Sequence, residues 1–132
     1  MPMSDIPIFS MLRTKMHWHQ ERQRLLSENV ANADTANYRP RDLAPLDFGR
    51  EAAQASARLA MAATDPAHMT SATGGTQFAP DRNNRYEVRP TGNAVSLEDE
   101  MIKVANNQMD YQAATSLYSR SMGLLRTAIG KR

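Results

Sequence analysis

Three histidines, a glycine pair and two closely spaced carboxylates are the residues of this chain whose types could do chemistry. His17 and His19 flank Trp18 in a segment with helical periodicity. Positions two apart on a helix point about 200° from each other, so the pair cannot share one metal ion without further ligands. His68 lies in Thr64-Asp65-Pro66-Ala67-His68-Met69, with no serine and acid at a spacing that would make a triad. Gly74-Gly75 lacks the lysine and the strand-to-helix setting of a phosphate-cradling loop. Glu98 and Glu100 fall in the first turn of a helix, where the macrodipole accounts for them. The chain has no cysteine, which excludes disulfides, thiolate metal sites and a cysteine nucleophile. These residues predict no catalytic site, no metal and no cofactor. The protein reads as a non-enzyme whose function rests on its elements.

Two long periodic segments dominate those elements. Phe9, Leu12, Met16, His19, Gln23, Leu26, Val30 and Ala33 follow one another at alternating steps of three and four, a heptad seam with a polar middle. Met11, Trp18 and Leu25 run beside it at steps of seven and widen the apolar face, which implies a second packing surface. Near the other end Leu97, Met101, Val104, Gln108, Tyr111, Thr115, Tyr118, Met122, Leu125 and Ile129 keep the same alternation. Ser96 is placed to cap this segment, with Asp99 completing a variant capping box. Glu98, Asp99 and Glu100 at its start and Arg126, Lys131 and Arg132 at its end complement the dipole. The spacing predicts helices over 7–33 and 97–129, about 40 and 50 Å long.

Between them the alanine-rich stretch 49–63 has the propensity for a short helix, and residues 64–85 are rich in turn formers and read as a mobile loop. Tyr86 and Val88 alternate with charges as a short extended segment ended by Pro90. The expected fold is mainly α. Its N- and C-terminal helices form a coiled-coil-like hairpin, and its middle is largely irregular, with room for one short helix and one short strand. Within this single domain the divisions are 1–33, an N-terminal helix; 34–95, a turn motif and flexible middle; and 96–132, a C-terminal helix.

The sequence pI is about 9.2, yet the basic residues are dispersed. Residues 6–33 hold four basic and two acidic side chains, 34–95 seven of each, and 96–132 five and four. No segment is a one-sided phosphate-binding stripe, so no nucleic-acid partner is expected. Neither is membrane insertion, since no apolar run approaches the roughly 18 residues of a span. The N-terminus has no basic region followed by a continuous apolar one, which predicts no cleaved secretory signal. Two helices alone leave their outer faces wet and form a marginal unit in water. Nine methionines, with Met16, Met101 and Met122 on the seams, supply adaptable packing surface. Assembly into a larger helical object follows from these features.

The junctions carry a more specific likeness. Asn29-Val30-Ala31-Asn32-Ala33-Asp34-Thr35, continuing through Asn37-Tyr38-Arg39 to Arg41-Asp42, resembles the N-terminal signature of bacterial flagellar rod and hook proteins. Gly92-Asn93-Ala94-Val95-Ser96-Leu97-Glu98-Asp99-Glu100-Met101 and Tyr111-Gln112-Ala113 resemble the C-terminal part of the same family. Ser119-Arg120, the ending Leu125-Arg126-Thr127-Ala128-Ile129 and the middle TDPAHM are similar to its short proximal-rod members. Asn37 stands where glycine is usual in the turn. The resemblance implies a structural subunit of the proximal rod, the shaft that transmits torque from rotor to hook. It implies passage through the flagellar type III export apparatus and residence in the basal body within the periplasmic space. The implied partners are copies of itself, other flagellar rod proteins, and the rotor (MS) ring or its adaptor protein FliE.

On this reading Phe9, Leu12, Met16, Leu26, Val30, Leu97, Met101, Val104, Tyr111, Tyr118, Met122, Leu125 and Ile129 are the subunit-packing residues. Asn29, Asn32, Ala33, Asp34, Thr35, Asn37 and Tyr38 form the turn motif. The alternatives are another short proximal-rod protein, or a cytoplasmic helical adaptor or export chaperone that caps amphipathic helices of another protein.

Overall fold

A computed structural model describes residues 7–49, 78–82 and 87–130. The short helix expected within 49–63 lies, beyond Gly49, outside the described residues, as do the histidine of TDPAHM, the glycine pair and Tyr86. Two helices make the frame, α1 over Pro7–Ala31 and α2 over Leu97–Ala128. Proline at the first position of α1 lacks an N–H, and the loss costs nothing there because the first turn of any helix leaves that donor unpaired. No glycine or proline follows inside α1, so the seam runs unbroken to Asn32, whose backbone N–H donates to Glu28 O at 3.1 Å. At the far end of α2, Gly130 (φ 73°) takes the left-handed conformation common just past a helix.

The helices pack antiparallel. Phe9 meets Tyr118 edge to face with ring centroids 5.4 Å apart, His19 meets Asn107, and Asn29 meets Glu100. Every predicted seam position of α1 is buried or half-buried, with Phe9, Leu12, His19 and Leu26 buried. The second apolar column of α1 faces away from α2. Trp18 and Leu25 pack there against Leu43 and Phe78, with Leu46 half-buried at the edge. Met11, at the head of that column, is exposed.

On α2 the seam departs from the spacing in one respect. The buried positions are Glu100, Asn107 and Ala114, and the half-buried ones Lys103, Val104, Tyr111, Thr115, Tyr118, Ser121, Met122 and Leu125. Val104, Tyr111, Thr115, Tyr118, Met122 and Leu125 stand where expected. The fully buried column lies one residue earlier than expected, with Glu100 in place of Met101, Asn107 in place of Gln108, and Ala114 enclosed ahead of the half-buried Thr115. This column is polar or small, so selecting large apolar groups picks out its neighbours. Burial of polar side chains is tolerated only with partners, and α1 supplies them.

Two further expectations are corrected. Ser96 occupies the cap position of α2 but its hydroxyl makes no capping hydrogen bond. The Asn93 side chain instead accepts from Val95 N at 2.8 Å and shapes the entry to the helix. The segment expected as loop over 64–85 contributes Phe78 to the core, and its neighbours are paired: Ala44 N donates to Ala79 O and Asp81 N to Asp42 O, both at 2.9 Å. Among the described residues there is no strand; Leu43 and Pro80 form an isolated antiparallel bridge. Val88 is exposed and unpaired in any ladder.

Candidate functional site: an interlocked joint and two polar layers

The residues that the sequence singles out converge at the closed end of the hairpin. Asn29, in the last turn of α1 and 1% exposed, is the hub. Its Nδ2 donates to Arg41 O and to Glu100 Oε2, both at 2.8 Å. Its Oδ1 accepts from Arg41 N at 2.9 Å and from the Tyr38 hydroxyl at 3.1 Å. One amide therefore ties α1 to the returning loop and to α2. The Glu100 carboxylate also accepts from Lys103 Nζ at 2.8 Å. Burial, and secondarily the Glu28 carboxylate, hold the Tyr38 phenol above its ordinary pKa, which keeps it a donor.

A second asparagine does the same work from the other side. Asn93 Nδ2 donates to Asn32 O at 3.0 Å and to Thr35 O at 2.6 Å, two carbonyls of the turn after α1 that also accept backbone N–H groups of the turn. Asn32 itself donates from its side chain to Glu28 O and accepts from the Thr35 hydroxyl. Asn37 adopts φ 59°, a conformation asparagine tolerates better than most residues, and its N–H donates to Thr91 O. Gly92 (φ 79°) lies so close that a Cβ there would sit 2.2 Å from Asn37 Oδ1. The left-handed φ favours glycine at 92, and a Cβ there would also have to push the Asn37 side chain aside. Ala94 N donates to Tyr38 O at 3.0 Å, completing the clasp. Ala33 is half-buried, while Asp34 and Thr35 are exposed on the outside of the turn.

An Arg22–Asp42 pair anchors the returning loop to α1 through two hydrogen bonds, 2.8 and 2.9 Å. The hydrogen bond to Asp42 holds the Arg22 guanidinium above its ordinary pKa, against the effect of burial. Arg22 also lies over the Trp18 ring, 5.3 Å from its centroid, and the Trp18 indole donates to Ala44 O. Midway along the seam a second polar layer forms. His19 Nδ1 and Asn107 Oδ1 are 2.7 Å apart, which assigns the proton to Nδ1 because the amide oxygen can only accept. Asn107 Nδ2 donates to His19 O and to Gln23 Oε1. His17 is exposed on the opposite side of α1. Among the described residues no group of three or more His, Asp and Glu side chains could hold a metal ion, and no helix is long and apolar enough to cross a membrane.

The remaining seam residues divide by position. Phe9, Leu12 and Leu26 are enclosed in the hairpin, and Met16, Val30, Val104, Tyr111, Tyr118, Met122 and Leu125 are half-buried along its edges. Leu97, Met101 and Ile129 are exposed. Sequence reasoning missed Glu100, Asn107 and Phe78. Asn93 is part of the quoted C-terminal motif, but its bonds to the α1 turn became visible only in three dimensions.

The chain is 36% identical over 112 residues to the flagellar basal body rod protein FlgB of Cereibacter sphaeroides, an alignment covering 83% of this chain and 84% of that protein. The chain belongs to the FlgB family of flagellar basal-body rod proteins. It is likewise 30% identical over 118 residues to FlgB of Agrobacterium fabrum, across 87% of both chains, and 27% identical over 108 residues to FlgB of Bacillus subtilis. No protein-family model matches the chain. As a member of the FlgB family it is a structural subunit of the flagellar rod in the basal body, and the adaptor or export-chaperone alternative is not favoured.

Proposed function

We propose that the clasped hairpin is the building unit of the proximal rod and that its outer faces are the contacts through which subunits pack around a common axis. The observation that carries this is the split of the apolar residues. One set closes the hairpin, while Met101, Ile102, Met109, Leu117 and Leu124 stand exposed along α2. Large apolar groups left along one element mark a surface meant for a partner. Torque transmission needs a subunit that resists shear between its two helices, and buried hydrogen-bonded layers at both Asn29 and Asn107 resist sliding better than an apolar seam alone. The subunit-packing residues of this reading are the half-buried and exposed members, from Met16 and Val30 on α1 to Met101, Val104, Met122 and Ile129 on α2.

The subunit reaches the periplasmic part of the basal body through the flagellar type III export apparatus. A thin two-helix unit suits that route, because a marginally stable chain unfolds readily for passage and gains its stability in the array. Its neighbours are copies of itself, other rod proteins and, at the base, the rotor (MS) ring or the adaptor FliE. Fractionation tests the reading. A tagged chain is expected in detergent-extracted basal bodies, with its cytoplasmic pool released on lysis. Recovery solely in the soluble fraction of flagellated cells would overturn it.

A further inference from the structure

The middle of the seam holds a polar atom that the fold leaves without a partner. His19 is 3% exposed, and among the described residues its Nε2 is the one buried side-chain nitrogen or oxygen with no hydrogen bond. Buried polar atoms are nearly always paired, so the exception calls for a reason. The Asn107 amide decides what kind of atom Nε2 is. Asn107 Nδ2 is committed to His19 O and Gln23 Oε1, at 2.9 and 3.0 Å, which turns its Oδ1 towards the imidazole, 2.7 Å from Nδ1. An amide oxygen only accepts, so the ring proton sits on Nδ1 and Nε2 carries a bare lone pair. The closed seam therefore fits the neutral ring, in one tautomer.

A second proton would end that fit. It would create a charged N–H at a position closed to solvent and facing no acceptor, and an unpaired buried charge is strongly destabilising. The charges around the layer do not favour a cation there either. On α1 Lys15 and Arg22 stand one turn to either side of His19, and Glu21 is bonded to Arg24. On α2 Lys103 and Asp110 stand one turn to either side of Asn107, with the Tyr111 phenol beyond, and Lys103 is bonded to Glu100. The returning loop adds Asp42, bonded to Arg22. Asp42, Glu100 and Asp110 all act on the Arg22 guanidinium, so the carboxylates near the layer are matched by Lys15, Arg22 and Lys103. The Trp18 ring stands edge to face with the imidazole, 4.9 Å between centroids, and Arg22 already lies over it. A second cation against that indole would meet a like charge.

We propose that His19 is an acid-sensitive latch of the hairpin: the seam closes on the neutral ring and opens when Nε2 takes a proton from solvent. In the open chain the imidazole meets water, where it takes that proton at an ordinary histidine's value, about pH 6.5. Opening thus takes up a proton that the closed seam has no place for, so closure is complete at neutral pH and weakens as the pH falls below about 6.5. The inference concerns the hairpin alone and stands whether or not its outer faces build the rod.

Urea unfolding of the purified chain, followed by circular dichroism at about pH 7.5 and about pH 5.5, tests this. Ordinary carboxylates stay ionised over that span, which leaves histidine and the chain's amino terminus to titrate. His19→Asn keeps an N–H near the place of Nδ1 but takes no second proton. Between the two pH values the folded-to-unfolded ratio of the native chain is expected to fall by about tenfold more than that of His19→Asn. His17→Asn, at an exposed position, is expected to keep the native response. A second measurement needs no variant. The ring nitrogen signals of His19 in the native chain are expected to show the Nδ1–H tautomer at neutral pH, and to pass to the doubly protonated form together with the loss of helix. An equal pH response in the native chain and His19→Asn, or a doubly protonated His19 in a chain that keeps its full helical signal, would overturn the latch.

Discussion

Replacing Asn29 with alanine is expected to open the closed end of the hairpin. The change strips a hydrogen-bond donor from the buried Glu100 carboxylate and an acceptor from both Arg41 N and the Tyr38 hydroxyl. The buried Glu100 carboxylate left short of a donor costs about 1–3 kcal/mol and the partly buried Tyr38 and Arg41 groups less each, so a loss of about 3 kcal/mol is expected. Small domains have about 5–15 kcal/mol in total, and a unit with so thin a core sits at the low end. The thermal transition followed by circular dichroism is expected to fall by about 10 °C or more. A fall of less than about 3 °C would show that the joint is held elsewhere. Motility should fall with it, because the rod unit depends on α1 and α2 staying clasped.

Leu26→Ala is expected to act on the same element by a different route. Leu26 has 0% exposure in the α1 seam, and truncating a buried leucine removes both its transfer energy and its packing, about 2–5 kcal/mol. Leu124→Ala is the contrast, since its side chain is 72% exposed near the end of α2 and surface changes of this kind stay within about 0.5 kcal/mol. Urea unfolding of the purified chains should therefore separate the two, with Leu26→Ala lowering the midpoint and Leu124→Ala leaving it in place. Equal effects would mean that the inner and outer faces of the hairpin have been assigned the wrong way round.

What the sequence made legible depended on whether a position is occupied for its hydrophobicity or for its hydrogen bonds. The α1 seam was readable from Phe9 to Ala33 because large apolar side chains mark most of it and the two polar ones, His19 and Gln23, fall in step. On α2 the column Glu100, Asn107, Ala114, Ser121 carries no such mark. A charged or amide side chain is ordinarily evidence for solvent, and only the partner on the other helix reverses that inference. Here Asn29 and His19 lie 71 and 88 residues away in the chain from their partners. No local pattern reports a contact across such a separation.

The turns show the same division. That the chain would turn soon after residue 33 was evident from Asp34, Thr35 and Asn37, whose types can bond to their own backbone, although α1 ends two residues earlier, at Ala31. That Gly92-Asn93 would close on the same turn was not, because it rests on the pair of hydrogen bonds from Asn93 Nδ2 to Asn32 O and Thr35 O, 61 and 58 residues away in the chain. Ser96 looked like a cap by type and place, yet the Asn93 side chain organises the entry to α2. Phe78 was passed over because it is one large apolar residue among turn formers, and its burial depends on Trp18, Leu25 and Leu43 arriving from the rest of the chain.

Cross-linking within the assembled rod tests most directly whether the clasped hairpin is the working unit. The Gln20 and Tyr111 side chains meet across the seam at 3.2 Å near the surface, and the native chain has no cysteine to give a background. With Gln20→Cys and Tyr111→Cys joined by a short bis-maleimide in extracted basal bodies, the expected product has the mass of one chain and links positions 20 and 111. A product at the mass of two chains would mean that the helices pair between copies. A chain recovered from the rod with neither link would mean that the hairpin opens on assembly, and either result would contradict a rod built from closed hairpins.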